Sequence, residues 1–188
     1  MSELEARLRD IVGRTPGLMQ VLMVARALDL PEWMIFSGAV YQPVWNQLTG
    51  RPLDHGLKDY DLAYFDSVDL SYEAEDGVIR RVAAAFEPPV RDQVEVRNQA
   101  RVHLWFEDHF GEAYDPLPCA AAALTRFASP AFAVAVRLEL NDTLTVFAPF
   151  GLEDLFSMRI RPNPLRASKG LAKVIANARS RWPEVVVV

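Results

Sequence analysis

The segment Lys58–Asp66, KDYDLAYFD, constrains the fold of this chain more than any other. Read as a β-strand, its side chains alternate between two faces. Asp59, Asp61, Ala63 and Phe65 share one face, and Tyr60, Leu62 and Tyr64 share the other. Both faces are apolar below the acidic end, which argues for an inner strand of a sheet with two carboxylates at its tip. Aspartate is depleted from strands. Two like charges this close repel each other, and burial strengthens the conflict. A cation between Asp59 and Asp61 would resolve it.

Around this strand the chain alternates helical and extended patterns. SELEARLRDIV places Leu4, Leu8 and Ile11 at helical spacing behind a serine start. A second helix is expected from about Gly17 to Leu28, and WMIF (33–36) is a short apolar strand. After Ser37-Gly38 a helix runs to Gly50, with Pro43 in or near its first turn. Ser71 is the expected N-cap of the next helix, with Glu73 and Glu75 in its first turn and Val78, Ile79, Val82, Ala83 and Phe86 as its buried stripe. RDQVEVR (91–97) is a third strand that runs into a helix through NQARVHLWFEDHFG, and another helix covers about 117–127. Two alternating runs joined by Asn141-Asp142 predict a hairpin. A short helix at LEDLFSM, an extended RIRPNP and a final helix from Ser168 to about Arg181 complete the chain. The fold class is α+β with α/β-like alternation: a small mixed sheet flanked by helices, followed by a β-hairpin and further helices. The 188 residues suit a single domain, with a core at about 17–110 and a C-terminal extension at about 111–188.

Composition narrows the class. No apolar run approaches the length of a membrane span, and MSELEARLRD is not a signal peptide, so a cytoplasmic setting is expected. The single Cys119 excludes an internal disulfide and, with only three histidines, a cysteine-based zinc cluster. The net charge of −5 is uneven: residues 1–158 carry −11 and residues 159–188 carry +6. The basic tail is either a helix docked on an acidic body or a surface for a polyanion. The stripe Leu171, Val174, Ile175 and Ala178 and the overall negative charge favour docking, so nucleic acid is a possible partner and not the favoured one.

Ser37-Gly38 is the second feature with chemistry in it. A helix that starts directly after a strand presents unpaired backbone N–H groups that suit a phosphate. Glycine lets the backbone approach, and the serine hydroxyl can donate to a phosphate oxygen. Chemistry on a triphosphate needs Mg²⁺ beside the phosphates, which is what a pair of carboxylates supplies. The two features can meet. A helix from 38 to 49 is about 18 Å long, and residues 50–58 span at most about 30 Å. The chain can therefore return Asp59 to the side of Gly38, provided the aspartate strand runs antiparallel to WMIF.

A strand, a Ser-Gly turn, a helix and then Asp-x-Asp on the next strand resemble the nucleotidyltransferase superfamily related to DNA polymerase β. The phrases GAVYQPVWNQLTGRP, KDYDLAYFD, VEVRNQARVHLW and APFGLEDLF-x4-RPNP resemble a bacterial nucleotidyltransferase-like branch. The resemblance covers about residues 33–165. It implies Mg²⁺- or Mn²⁺-dependent transfer of a nucleoside monophosphate from an NTP to an acceptor hydroxyl that the sequence does not identify. Ser37 and Gly38 match the phosphate-binding turn, Asp59 and Asp61 match the metal-binding pair, and Glu95 on the third strand is the candidate third carboxylate, with Asp92 the nearest alternative. By the same resemblance Glu95 would ligate the acceptor-side metal and take the hydroxyl proton. Lys58 and Arg51 are candidates for steering the triphosphate. The turn reads Ser-Gly where the superfamily has Gly-Ser or Gly-Gly, and 20 residues separate Gly38 from Asp59.

Plainer readings stand beside these. Asp59 and Asp61 can be a solvated strand start paired with Lys58 and Arg51, and Glu95 can be a partner of Arg97 or Arg101. His55 is expected to be exposed in its loop, and His103 and His109, six apart, are wrongly spaced for a shared metal. Trp33, Trp45, Trp105 and Trp182 read as packing anchors. Two alternative functions also fit: a member of the same fold that binds nucleotide or a partner without turnover, and a metal-dependent nuclease.

Overall fold

The computed structural model describes residues 2–188. The first helix, α1 (Glu3–Gly13), is capped by Ser2, whose Oγ accepts the Glu5 amide at 3.1 Å. Proline fits the first turn of a helix, where its missing N–H costs nothing. Pro16 opens α2 (Pro16–Leu28), which buries Leu18, Val21, Leu22, Ala25 and Leu28 along one stripe. β1 (Met34–Phe36) leads through Ser37 into α3 (Gly38–Leu48). Pro43 lies inside α3, beyond the first turn expected for it; without an N–H it leaves the Ala39 carbonyl without its usual helical donor.

β2 (Tyr60–Tyr64) is followed by α4 (Tyr72–Ala85), where the Ser71 cap forms as expected: its Oγ accepts the Ala74 amide at 3.2 Å. β3 (Val94–Asn98) begins later than the predicted strand, because Val90–Gln93 coils into a 3-10 turn anchored by the Asp92 amide on the Pro89 carbonyl. The helix expected after it is shorter than its pattern suggests. Asn98 accepts the Arg101 amide with its carbonyl and the Ala100 amide with its side chain. Those bonds hold a turn, and helical structure resumes only as a 3-10 turn at Val102–Leu104 and as α5 (Phe106–Phe110). The expected helix at 117–127 is a 3-10 segment, Ala120–Arg126.

β4 (Ala135–Leu138) and β5 (Leu144–Phe147) form the predicted hairpin across Asn141-Asp142. α6 (Glu153–Phe156), β6 (Arg159–Ile160), α7 (Leu171–Arg181) and β7 (Val186–Val187) close the chain. α7 starts at Leu171, after the expected Ser168, and the parallel β6–β7 pair had no signal in the sequence pattern.

The main sheet has five strands in the order β3-β2-β1-β4-β5. β2 is an inner strand, parallel to β3 and antiparallel to β1. Its alternation divides the core. Tyr60, Leu62 and Tyr64 join Ile35, Val96 and Val136 under the helices. Ala63 joins Met34, Phe36 and Ala135 on the opposite face, covered by Leu117, Ala120, Ala123 and Leu124.

The basic tail docks. Arg159 and Arg161 each donate from Nε to the buried Asp154 at 2.6 Å. Leu171, Val174 and Ile175 pack on the core, and Trp182 meets Trp45 edge-on at 5.3 Å. Among the described residues no helix is long and apolar enough to cross a membrane.

Candidate active site

The strand register lines up the candidate residues. Phe36 of β1 pairs with Asp61 of β2, and Asp61 pairs with Glu95 of β3. Neighbouring strands lie about 4.8 Å apart, so Asp61 and Glu95 are side by side on the face that carries Phe36 and Ala63. β1 runs antiparallel to β2, the condition set for Asp59 to return to the side of Gly38. Ser37, one residue past Phe36, therefore sits at the end of the sheet where Asp59 leads into β2. Asp59 lies just outside the strand that the sequence pattern assigned to it.

Ser37 has φ 42° and ψ −99°, a conformation that L-residues rarely adopt. Its amide donates to the Val134 carbonyl and its own carbonyl accepts the Val40 and Tyr41 amides, each at 2.8 Å. Its hydroxyl makes no capping bond. Among the described residues the Gly38 and Ala39 amides have no acceptor. These are the first amides of α3, where the helix dipole is positive and favours an anion. A Cβ on Gly38 would lie 3.2 Å from Nε2 of Gln42, so glycine keeps the turn open.

The carboxylates repel one another. Asp61 is pushed up from 3.8 to about 6, first by its surroundings at the cleft floor, then by Glu95 and Asp59, with Arg97 opposing. Water still reaches the Asp61 side chain, so the cause is the crowding of protein and negative charge around it and not complete enclosure. Among the described residues no three His, Cys, Asp or Glu side chains are gathered into a ready metal cage. The donor set is nevertheless of the right kind. Three carboxylates are hard oxygen ligands of the type that Mg²⁺ and Mn²⁺ prefer, and a cation would relieve the repulsion that raises Asp61.

Two of the plainer partners, Arg51 and Arg101, are engaged elsewhere. Arg51 pairs with Glu184 at 3.1 Å, and the exposed Lys58 enters no ion pair among the described residues. Arg101 pairs with Glu75. Glu95 has no ion-pair partner among the described residues, and the guanidinium of Arg97 donates only to the Val96 carbonyl at 3.1 Å. Asp92 lies in the turn before β3, exposed and 3.7 Å from Arg91. His55 is exposed. Trp33, Trp45 and Trp182 are buried anchors as expected, whereas Trp105 is half-buried and lines a cavity over Asp61 and Glu95.

Two supporting clusters escaped the sequence pattern. Glu75 was expected as a first-turn acid of α4; instead it turns inward, accepts the Asn98 amide at 2.8 Å and pairs with Arg101, fixing the end of β3. The long loop between α3 and β2 is pinned by Asn46, whose Nδ2 donates to the Leu53 and His55 carbonyls at 3.0 and 2.9 Å. Its Oδ1 accepts Nε1 of Trp182 at 3.0 Å. A buried residue that bonds far along the chain leaves no periodic signal.

Comparison with known proteins bears on the fold and the family. A solved NMR structure described as a CCA-adding enzyme head domain superposes with a TM-score of 0.76 at 23% identity, over 96% of this chain and 94% of that one. At that identity the likeness speaks for the fold. No curated protein matches the sequence significantly. A family model described as nucleotidyltransferase matches residues 23–187, and the chain belongs to that family.

Proposed function

We propose that the protein transfers a nucleoside monophosphate from an NTP to a hydroxyl group, with Asp59, Asp61 and Glu95 as its carboxylates. One observation carries this reading: Asp61 and Glu95 stand side by side, unpaired, at the sheet end where the Ser37-Gly38 turn presents free amides. The β- and γ-phosphates rest against the Gly38 and Ala39 amides and the Ser37 hydroxyl, and Lys58 lies close enough in sequence to Asp59 to draw the triphosphate in. Mg²⁺ or Mn²⁺, held by Asp59, Asp61 and Glu95, would supply charge neutralisation of the phosphates and a more acidic acceptor hydroxyl. Glu95 takes the hydroxyl proton. The acceptor oxygen forms a bond to the α-phosphorus, the bond from that phosphorus to the bridging oxygen breaks, and pyrophosphate leaves with the electron pair.

The test is thermal stabilisation by ATP with Mg²⁺ or Mn²⁺, since a ligand that binds only the folded state raises its melting temperature. Asp59→Asn and Asp61→Asn are expected to abolish the shift and still fold; retention of the full shift by both variants overturns the metal-site reading. A second reading, nucleotide binding without turnover, is favoured by the lack of a ready three-carboxylate cage among the described residues. Pyrophosphate release separates the two.

A further inference from the structure

The face of the sheet that carries Asp61 and Glu95 is not fully covered. Between it and the segments around 105–127 and 166–170 lies a cavity of about 590 Å³. It is floored by Asp61, Glu95 and Arg97, and neither Ser37, Gly38 nor Asp59 lines it. It continues along the strands towards Ala63 and Gln99, away from the turn. Phe36, Asp61 and Glu95 line the end of the cavity nearest the phosphate-binding turn, within reach of an acceptor held in it.

The walls are aromatic. Phe106 is the hub, with its ring 4.7 Å from Phe110 and 4.5 Å from Tyr114, and Trp105 6.1 Å away. A cluster of half-open rings takes up a planar body by stacking. Most of the cations at the cavity are occupied. Arg166 is held by Glu112 and lies over the Phe106 ring at 5.4 Å. Arg126 pairs with Asp115 at 3.3 Å, and Lys169 donates from Nζ to the Gly111 carbonyl at 2.6 Å. Arg97 alone among the cavity's arginines enters no ion pair among the described residues, and it lies two residues from Glu95 on the same strand. An aromatic cavity with one free guanidinium is unlike a groove for a polyanion, which needs a row of cations along its length.

We propose that this cavity is the acceptor subsite, and that the acceptor is a small planar molecule bearing a hydroxyl and an anionic group, its ring stacked at Phe106 and its anion on Arg97. The inference rests on the transferase reading above and names the substrate class for it. In the transfer step the acceptor's hydroxyl bonds to the α-phosphorus and gives its proton to Glu95, while pyrophosphate departs from the opposite side.

The test uses 1-naphthoate and its uncharged amide, 1-naphthamide, as probes, titrated against the full chain by calorimetry and by Trp105 emission. Wild type is expected to bind the carboxylate about tenfold more tightly than the amide, as a charge-assisted bond to one guanidinium gives. Arg97→Gln, at an exposed and unpaired position, is expected to erase that ratio and to leave amide binding in place. Phe106→Leu weakens both probes. Equal affinities in wild type, or no binding of either probe, overturn the proposal. Competition between ATP and naphthoate also overturns it, because it places the nucleotide's own base in the cavity. Absence of any ATP shift with normal probe binding refutes the transferase reading and leaves the cavity's ligand class standing.

Discussion

Asp61→Asn isolates the electrostatic cost of the site. Asp61 titrates near 6 in the folded protein against an ordinary 3.8. Its protonated form therefore favours the fold. That contribution is complete below about pH 4 and is lost as pH rises through 6. Asparagine resembles the protonated carboxyl and keeps the contribution at every pH. A shift of about two units corresponds to at most about 3 kcal/mol. Water reaches the carboxylate and screens it, which reduces the expected gain to about 1 kcal/mol at pH 8. For a chain of this length that is a rise in melting temperature of about 2–4 °C. The assay is differential scanning calorimetry of the metal-free protein at pH 8, 6 and 4. Wild type and Asp61→Asn are expected to differ most at pH 8 and to converge at pH 4. A variant that is less stable at pH 8, or a difference that does not change with pH, refutes the claim that desolvation, with the charges of Glu95 and Asp59, raises Asp61.

Glu95→Gln is expected to retain the ATP shift and to lose pyrophosphate release, because Asp59 and Asp61 remain; loss of stability with unchanged specific activity would send the search for the third carboxylate elsewhere. Gly38→Ala is expected to fold, since the added methyl meets only the flexible end of Gln42 at 3.2 Å, and to reduce the thermal shift given by ATP with Mg²⁺. Asp154→Ala strips the shared partner from Arg159 and Arg161, and urea denaturation is expected to show a loss of about 3 kcal/mol. Lys173→Ala, at a residue in no ion pair among the described residues, is expected to change stability by less than about 0.5 kcal/mol and to leave ATP binding untouched in the thermal-shift assay.

The candidate site was legible because its residues break local rules. Aspartates at the head of an apolar strand and a Ser-Gly step between strand and helix both contradict what packing alone would select. Loop length allowed the return of Asp59 to Gly38 on condition of an antiparallel β2, which β1 and β2 meet, and the hairpin followed from Asn141-Asp142. Segments held by long-range contacts were less legible. The stretch after β3 has helical composition, but Asn98 spends its carbonyl and side chain on a turn, so the helix shortens to α5. The 117–127 stretch lies against the second face of the sheet, burying Ala120, Ala123 and Leu124, and that packing overrides its helical propensity. Trp105 carried no mark that distinguished it from the buried tryptophans. Its exposure depends on a cavity assembled from three separate parts of the chain.

The treatment of acids elsewhere in the molecule sharpens the contrast with the site. Glu75 is buried and paired with Arg101; Asp154 is buried and shared by Arg159 and Arg161; Glu112 is nearly enclosed and paired with Arg166. A buried carboxylate without a partner is costly, and these three have partners that meet the cost. Asp61 and Glu95 are open to water and have no such partner, although Arg97 lies two residues from Glu95 and Lys58 immediately precedes Asp59. In the basic tail, Arg159 and Arg161 are committed to Asp154, Arg166 to Glu112, and Lys169 and Arg181 to backbone carbonyls instead. On the proposed reading, two adjacent carboxylates without counter-ions beside free helix amides bind a cation and a phosphate together, each lowering the electrostatic cost of the other. This coupling predicts that Mg²⁺ and ATP stabilise the protein more in combination than the sum of their separate effects, and strictly additive shifts would argue that the two bind at unrelated places.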